Sequence, residues 1–271
     1  MFSPVNQTQH FTEPNLADYL GDSVMLDSFG NNLNVVVVGA SGGLGRAFQD
    51  ILLDIPSVNR VFSLSRKSEV FRSSKLENIY VDLESTETIE DAAERIQSRA
   101  GTVNLILLAT GLLHDGPDFQ PERSWTSLTA QSLERAFKIN TIAPAVIATK
   151  FLPLLAKKKK SSFIALSARV GSIGDNRLGG WHSYRASKAA LNMLIRTFSI
   201  ELTRRNPEAV CACLHPGTVD TRLSKPFQRN IPQATLKGSI ESAAQLIKVI
   251  NNLTPNESGG FYAWDGTEIP Y

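Results

Sequence analysis

A tyrosine and a lysine four residues apart, Tyr184 and Lys188, stand in the stretch WHSYRASKAALNML at residues 181–194. On a helix such residues share a face, with Cβ atoms about 5–6 Å apart. A phenol titrates at about pH 10, too high for a base at neutral pH, but a nearby ammonium favours the ionised form. The pair is therefore a usable acid/base catalyst. Taken alone it is equally a helix with two polar residues on one face, because this spacing is common by chance.

Two further residues make the pair worth pursuing. Ser167 ends the apolar run SSFIALS, where a hydroxyl at the carboxyl edge of a sheet can bond a substrate carbonyl oxygen and stabilise developing charge. A serine that merely ends a strand for turn reasons is the competing reading. Asn140 lies within the helical pattern LERAFKINTIAPAVIATKFL, with Pro144 four residues on. Proline has no N–H, so the Asn140 carbonyl is expected to stay free for a water that passes protons to Lys188; an ordinary proline kink is the alternative.

These side chains need elements to hold them. From Asn34 onward short β-branched runs alternate with longer helical patterns, which predicts βα units around a parallel sheet. Strands are expected near 34–39, 60–65, 78–81, 103–109, 162–167, 209–214 and 260–264, with helices at about 43–54, 86–100, 129–156, 183–205 and 239–252. The fold class is α/β: a doubly wound, mostly parallel seven-stranded sheet with helices on both faces. The domain reading is an acidic extension over 1–33, rich in Glu13, Asp18, Asp22 and Asp27, then one domain over 34–271. Leu16, Tyr19, Leu20, Met25, Leu26 and Phe29 could dock the extension on that domain. The polar stretch 218–239, broken by Pro226 and Pro232, reads as a long mobile connection of the kind lids are made from.

In VVVVGASGGLGRAF the first expected strand ends at Gly39 and a helix opens at Gly43 and Gly45. Glycines there allow a tight turn and a close backbone approach to a pyrophosphate, which the helix N-terminus would bind. A plain strand-to-helix turn uses glycines too, but this context is the one expected of a dinucleotide site. At the end of the second strand stand Ser65, Arg66 and Lys67, with no carboxylate before Glu69. A basic residue there accommodates a 2′-phosphate, which favours NADP(H) over NAD(H), unless Arg66 and Lys67 are only solvated loop charges. Asp82, ending the third strand, could reach an adenine amino group or simply cap the next turn.

With these residues placed, the sequence resembles the short-chain dehydrogenase/reductase family over about 34–271, and most closely its C-factor and Sniffer-like carbonyl reductase branch. Gly39, Gly43 and Gly45 match the family's nucleotide motif, and Asn140, Ser167, Tyr184 and Lys188 match its catalytic tetrad in order and approximate spacing. The segment HPGTVDT matches the one that holds the nicotinamide carboxamide, through the backbone after Pro216-Gly217 and through Thr221. The resemblance implies cofactor contacts from Gly39, Ser41, Gly43, Leu44, Gly45, Arg66, Asp82, Leu83, Ala109, Gly111, Tyr184, Lys188, Pro216, Gly217, Val219 and Thr221. It implies NADPH-dependent reduction of an aldehyde or ketone, or the reverse, on a small molecule, and pairing into homodimers or homotetramers. Two departures stand out. Leu108-Ala109-Thr110-Gly111 replaces the usual Asn-Asn-Ala-Gly, and the connection from Ser167 to Tyr184 is longer and carries Trp181 and His182. With Leu112, Leu113, His114, Phe119 and Phe227, Trp181 and His182 are expected to wall an apolar pocket; a tryptophan that only packs is the alternative.

Composition narrows the partners. The chain has 28 Lys and Arg against 26 Asp and Glu, without the basic excess of a nucleic-acid binder. The four lysines at 157–160 read as a solvated helix end rather than a binding patch. Cys211 and Cys213 fit neither a disulfide framework nor a metal site and read as small core residues of a reduced interior; no metal is expected. Without a leader pattern or an apolar run of about 20 residues, the chain reads as soluble and cytoplasmic, and no membrane partner is expected. Two rival functions remain: a nucleotide-binding signalling or regulatory protein of C-factor type, and a 3-oxoacyl-thioester reductase. For the second, Arg222, Lys225, Arg229 and Lys237 would have to meet an acidic carrier or a coenzyme A.

Overall fold

The computed structural model describes residues 24–67, 73–230, 232 and 235–271. Glu69 and the expected docking positions before Val24 lie outside the described residues.

The apolar run at the start of the domain forms β1 (Leu33–Val38), whose alternate residues enter two separate cores. Val35 and Val37 face one and Val36 and Val38 the other. A strand covered on both faces has no solvent side, and this is why the run is continuous rather than alternating. The remaining strands are β2 (Val58–Ser65), β3 (Leu76–Tyr80), β4 (Leu105–Leu108), β5 (Ser161–Leu166), β6 (Ala209–His215), β7 (Thr218–Val219), β8 (Leu236–Lys237) and β9 (Phe261–Ala263). Seven of them form one parallel sheet in the order β3-β2-β1-β4-β5-β6-β9. The order reverses between β1 and β4, which opens a crevice at their carboxyl ends.

The helices are α1 (Gly43–Asp54), α2 (Thr86–Ala100), α3 (Ala130–Phe137), α4 (Ala143–Phe151), α5 (His182–Arg205) and α6 (Ser239–Asn252). One core packs Phe48 and Ile51 of α1 with Leu246 and Ile250 of α6; the other packs Ile89 and Ile96 of α2 with Ile147, Phe151, Leu191 and Ile195. Cys211 and Cys213 are fully buried in the second core, and burial pushes the Cys213 thiol up to about 12.

Three expectations need correction. The single helix expected over 129–156 is divided: α3 passes into a π-helical turn at Lys138–Ile142, then α4, then a 3-10 turn at Leu152–Leu154. Pro144 and Pro153 supply no N–H there, and Ala143 donates five residues back to Lys138. The long mobile connection at 218–239 is partly structured, since β7 and β8 pair in parallel at its neck and a 3-10 turn occupies Lys225–Asn230. Lys160 is not a solvated end of its own helix. Its Nζ bonds the carbonyls of Ile250 and Asn251 at the C-terminus of α6 and lies 4.7 Å from the Phe29 ring. Burial lowers it to about 8, while Glu257 opposes the shift.

That contact also fixes the segment before β1. Val24, Leu26 and Phe29 are buried in the first core, and Ser28 hydroxyl donates to the Asn251 carbonyl at 2.7 Å. Among the described residues no helix is long and apolar enough to cross a membrane, and no group of three or more His, Cys, Asp or Glu could hold a metal ion.

Candidate active site

The carboxyl ends of β1, β4, β5 and β6 gather the predicted residues. Gly39 ends β1 with φ of 80°, and the chain then turns into α1. A Cβ on Gly39 would lie 2.8 Å from the Ala109 carbonyl, and one on Gly45 would collide with the Gly39 carbonyl. The turn is therefore as tight as a phosphate cradle requires. Leu44 packs on the core, and Ser41 is half-buried in the turn. A Cβ on Gly43 would lie 2.8 Å from Thr221 Cγ2, so the helix opening and the segment after β6 meet across the crevice. Within that segment Pro216 carbonyl accepts from the Ser242 hydroxyl at 2.8 Å, Gly217 has φ of 79°, and Val219 is buried.

Arg66 stands exposed just past β2. Asp82 Oδ1 accepts from Glu84 N–H at 3.1 Å, the turn-capping arrangement, while Leu83 packs against the second core.

Two side chains, Asn140 and Lys188, meet beside Gly111, while Ser167 follows the end of β5 and Tyr184 lies one turn before Lys188 on α5. Asn140, placed by the π turn, accepts from Leu112 N–H at 2.7 Å and donates back to its carbonyl at 2.8 Å. Asn140 also donates to the Ser187 hydroxyl at 3.0 Å, which ties the π turn to α5. Around Gly111 the nearest atoms to a built Cβ are Lys188 Nζ at 3.6 Å and Asn140 Oδ1 at 3.9 Å. Lys188 Nζ donates to the Leu166 carbonyl at 3.0 Å and the Thr110 carbonyl at 3.5 Å. Burial lowers this lysine to about 8, with the Cys213 thiol opposing the shift. Ser167 donates its hydroxyl to Asn192 Oδ1 at 2.7 Å.

Tyr184 departs from expectation in one respect. Burial pushes its phenol above the usual range, whereas the lysine was expected to draw it down. The phenol is buried to 6 % exposure, and the ammonium is engaged with two carbonyls instead. The tyrosine consequently keeps its proton at neutral pH in this state.

The two unusual residues before it part company. Trp181 lies edge-on to Tyr184 at 6.4 Å and to Phe227 at 5.0 Å, and His114 meets Phe227 at 5.6 Å. His182 instead lines a groove with Leu128, Leu133 and Arg185. Of the other expected wall residues, Leu113 is buried, while Phe119 packs under the Arg135 guanidinium at 5.2 Å rather than among these rings.

Sequence reasoning missed Glu122, and it did not foresee the state of His215. Trp181 caps α5 with φ of 51°, a conformation costly for a bulky side chain. It is held there by Glu122, whose carbonyl accepts from Trp181 N–H at 2.5 Å and whose Oε2 accepts from Ser183 N–H at 3.2 Å. Burial raises this carboxyl, but hydrogen bonds from Ser183 and Ser132 outweigh it and hold Glu122 below its usual range. The carboxylate lies at the positive end of the helix, a favourable placement. Nothing local to QPERSW announces the contact, which spans 61 residues. His215, at the end of β6, is held down to about 4 by burial and by the Arg169 charge, against Asp265, so it is neutral at pH 7.

A glycine-tight turn at a topological switch point, with Lys188 and Asn140 beside Gly111, is the arrangement of a doubly wound dinucleotide-binding fold. The short chain dehydrogenase family model matches residues 33–232. The chain therefore belongs to the short-chain dehydrogenase/reductase family. It is 32% identical over 241 residues to 1-hydroxy-2-glutathionyl-2-methyl-3-butene dehydrogenase of a Rhodococcus strain, covering 88% of this chain and 99% of that one. It is 36% identical over 140 residues to C-signal of Myxococcus xanthus, covering 51% and 78% respectively. Among solved structures, NADPH-bound carbonyl reductase from chicken fatty liver superposes with a TM-score of 0.76 at 27% identity, over 89% of this chain and all of that one.

Proposed function

We propose that this oxidoreductase reduces an apolar aldehyde or ketone with NADPH, or oxidises the corresponding alcohol, with Tyr184 as general acid/base. The observation that supports this reading is the placement of Lys188 and Asn140 beside Gly111, with Lys188 bonded to the carbonyls that end β4 and β5, next to the tight glycine turn at Gly39, Gly43 and Gly45. Side chains at Gly39 and Gly45 would collide with the backbone of the turn and one at Gly43 with Thr221, so only glycines permit this tight strand-to-helix turn, which fits a dinucleotide. The cradle would hold its pyrophosphate, Arg66 a 2′-phosphate, Lys188 the nicotinamide ribose, and Thr221 with the backbone after Gly217 the carboxamide. When bound, the cofactor supplies or takes the hydride.

In the reductive direction Tyr184 gives its proton to the substrate oxygen, and Ser167 orients that oxygen by hydrogen bonding. The raised phenol supports this direction, because a tyrosine that is protonated at rest is ready to donate. Lys188 supports the tyrosinate left behind, and an Asn140 carbonyl left free by Pro144 would hold a water that passes protons to Lys188. Trp181, Phe227 and His114 form an aromatic wall beside the phenol, which favours flat apolar carbonyl compounds over charged thioesters.

Replacing Tyr184 by Phe should lower kcat by at least about a thousandfold while leaving NADPH binding within twofold. Wild-type turnover by that variant on a validated substrate would end the proposal. The similarity to C-signal gives the signalling reading its one support. A protein that binds NADPH yet turns over no member of a panel of aldehydes, ketones and quinones would favour it.

A further inference from the structure

The Ser167 hydroxyl has a single proton, and it goes to Asn192 Oδ1 at 2.7 Å. Both side chains are buried. Asn192 follows Lys188 by four residues and Tyr184 by eight, so all three fall on one face of α5. The amide is oriented from its other end, where Nδ2 donates to the Gly171 carbonyl at 3.4 Å. A carbonyl only accepts, so Oδ1 must be the atom that faces Ser167, and Oδ1 has no proton to give. The turn carrying Gly171 can come this close because it lacks a side chain: a Cβ there would lie 2.8 Å from Lys188 Cβ.

A substrate carbonyl oxygen is likewise an acceptor only. Ser167 cannot serve it and Asn192 with one proton. We propose that Asn192 is a positioning residue, a neutral resting acceptor that holds the Ser167 hydroxyl in register and releases its hydrogen bond to the substrate oxygen during reduction. The inference rests on the role given to Ser167 above. A neutral amide suits the task because its hydrogen bonds are about half as strong as those of an ionised group. A carboxylate at position 192 would retain the hydroxyl, and an apolar side chain would leave it unheld.

The test is a double-mutant cycle: Asn192→Leu and Asn192→Asp, each alone and with Ser167→Ala, assayed by steady-state carbonyl reduction and by fluorescence titration with NADPH. Each single variant is expected to lose about tenfold in kcat, with NADPH affinity and KM for NADPH within about twofold. In the Ser167→Ala background the same replacements should change kcat by less than about twofold, because the group that Asn192 positions is gone. If Asn192→Asp does not fold, the Asn192→Leu cycle decides on the same criteria. Equal losses in both backgrounds, or wild-type kcat in the single variants, would overturn the proposal. Tyr184→Phe is run in parallel. If it abolishes turnover while the Asn192 effects are additive, only this inference fails; if it retains turnover, the proposed function from which Ser167 takes its role fails, and this inference with it.

Discussion

Lys188 is the residue whose chemistry depends most on burial. Its proton comes off at about 8 in the folded protein, against 10.5 for an exposed lysine. If the charge is required, kcat/KM at low NADPH should fall as pH rises through about 8, since this parameter reports the free enzyme. Stability should move the other way. Between about 8 and 10.5 the unfolded chain binds the proton that the folded chain has released, so this group's contribution to stability rises with pH. A pH profile flat to about 9.5 would show that the charge is not needed. Arg66, exposed past β2, makes a second residue-scale prediction. Arg66→Ala should reduce the NADPH-to-NADH preference by at least about tenfold, read from the two dissociation constants, because a charged phosphate contact is lost without changing the cradle.

At the scale of elements, the site is assembled by two irregular junctions rather than by regular helix. The π turn at Lys138–Ile142 lets Asn140 clasp both polar groups of the Leu112 backbone. The strained start of α5 carries Trp181 between Tyr184 and Phe227. Strain of this kind persists only where surroundings enforce it, and here Glu122 does so from a distant loop. Trp181→Ala should therefore act on specificity more than on chemistry. For aromatic ketones kcat/KM is expected to fall about tenfold, mainly through KM, while small aliphatic aldehydes change by less than about threefold. Equal losses on both substrate classes would assign the tryptophan to packing alone.

At the scale of the whole molecule, the segment before β1 shares the first core instead of hanging from the domain. Phe29 is buried against it and beneath Lys160, and Ser28 closes on the end of α6. Phe29→Ala should lower unfolding stability by about 3–5 kcal/mol, measured by denaturant titration, with kcat nearly unchanged because the site lies at the opposite ends of the strands. A loss below about 1 kcal/mol would mean that the segment contributes little to the fold.

The doubly wound sheet, its seven strands and the residues at their carboxyl ends were legible in sequence because each rests on local pattern: an apolar run, a glycine turn, a Tyr-Lys helix face. The helix bounds at 43–54, 86–100 and 239–252 follow from the same local periodicity. What the sequence could not carry was contact between distant segments. Glu122 beneath Trp181, Lys160 on α6 and Asn192 on Ser167 are pairings whose partners lie 25 to 91 residues away. The direction of the Tyr184 shift belongs with them. From spacing alone the nearest charge sets a pKa, but desolvation depends on everything packed around the group, and only the tertiary structure decides that.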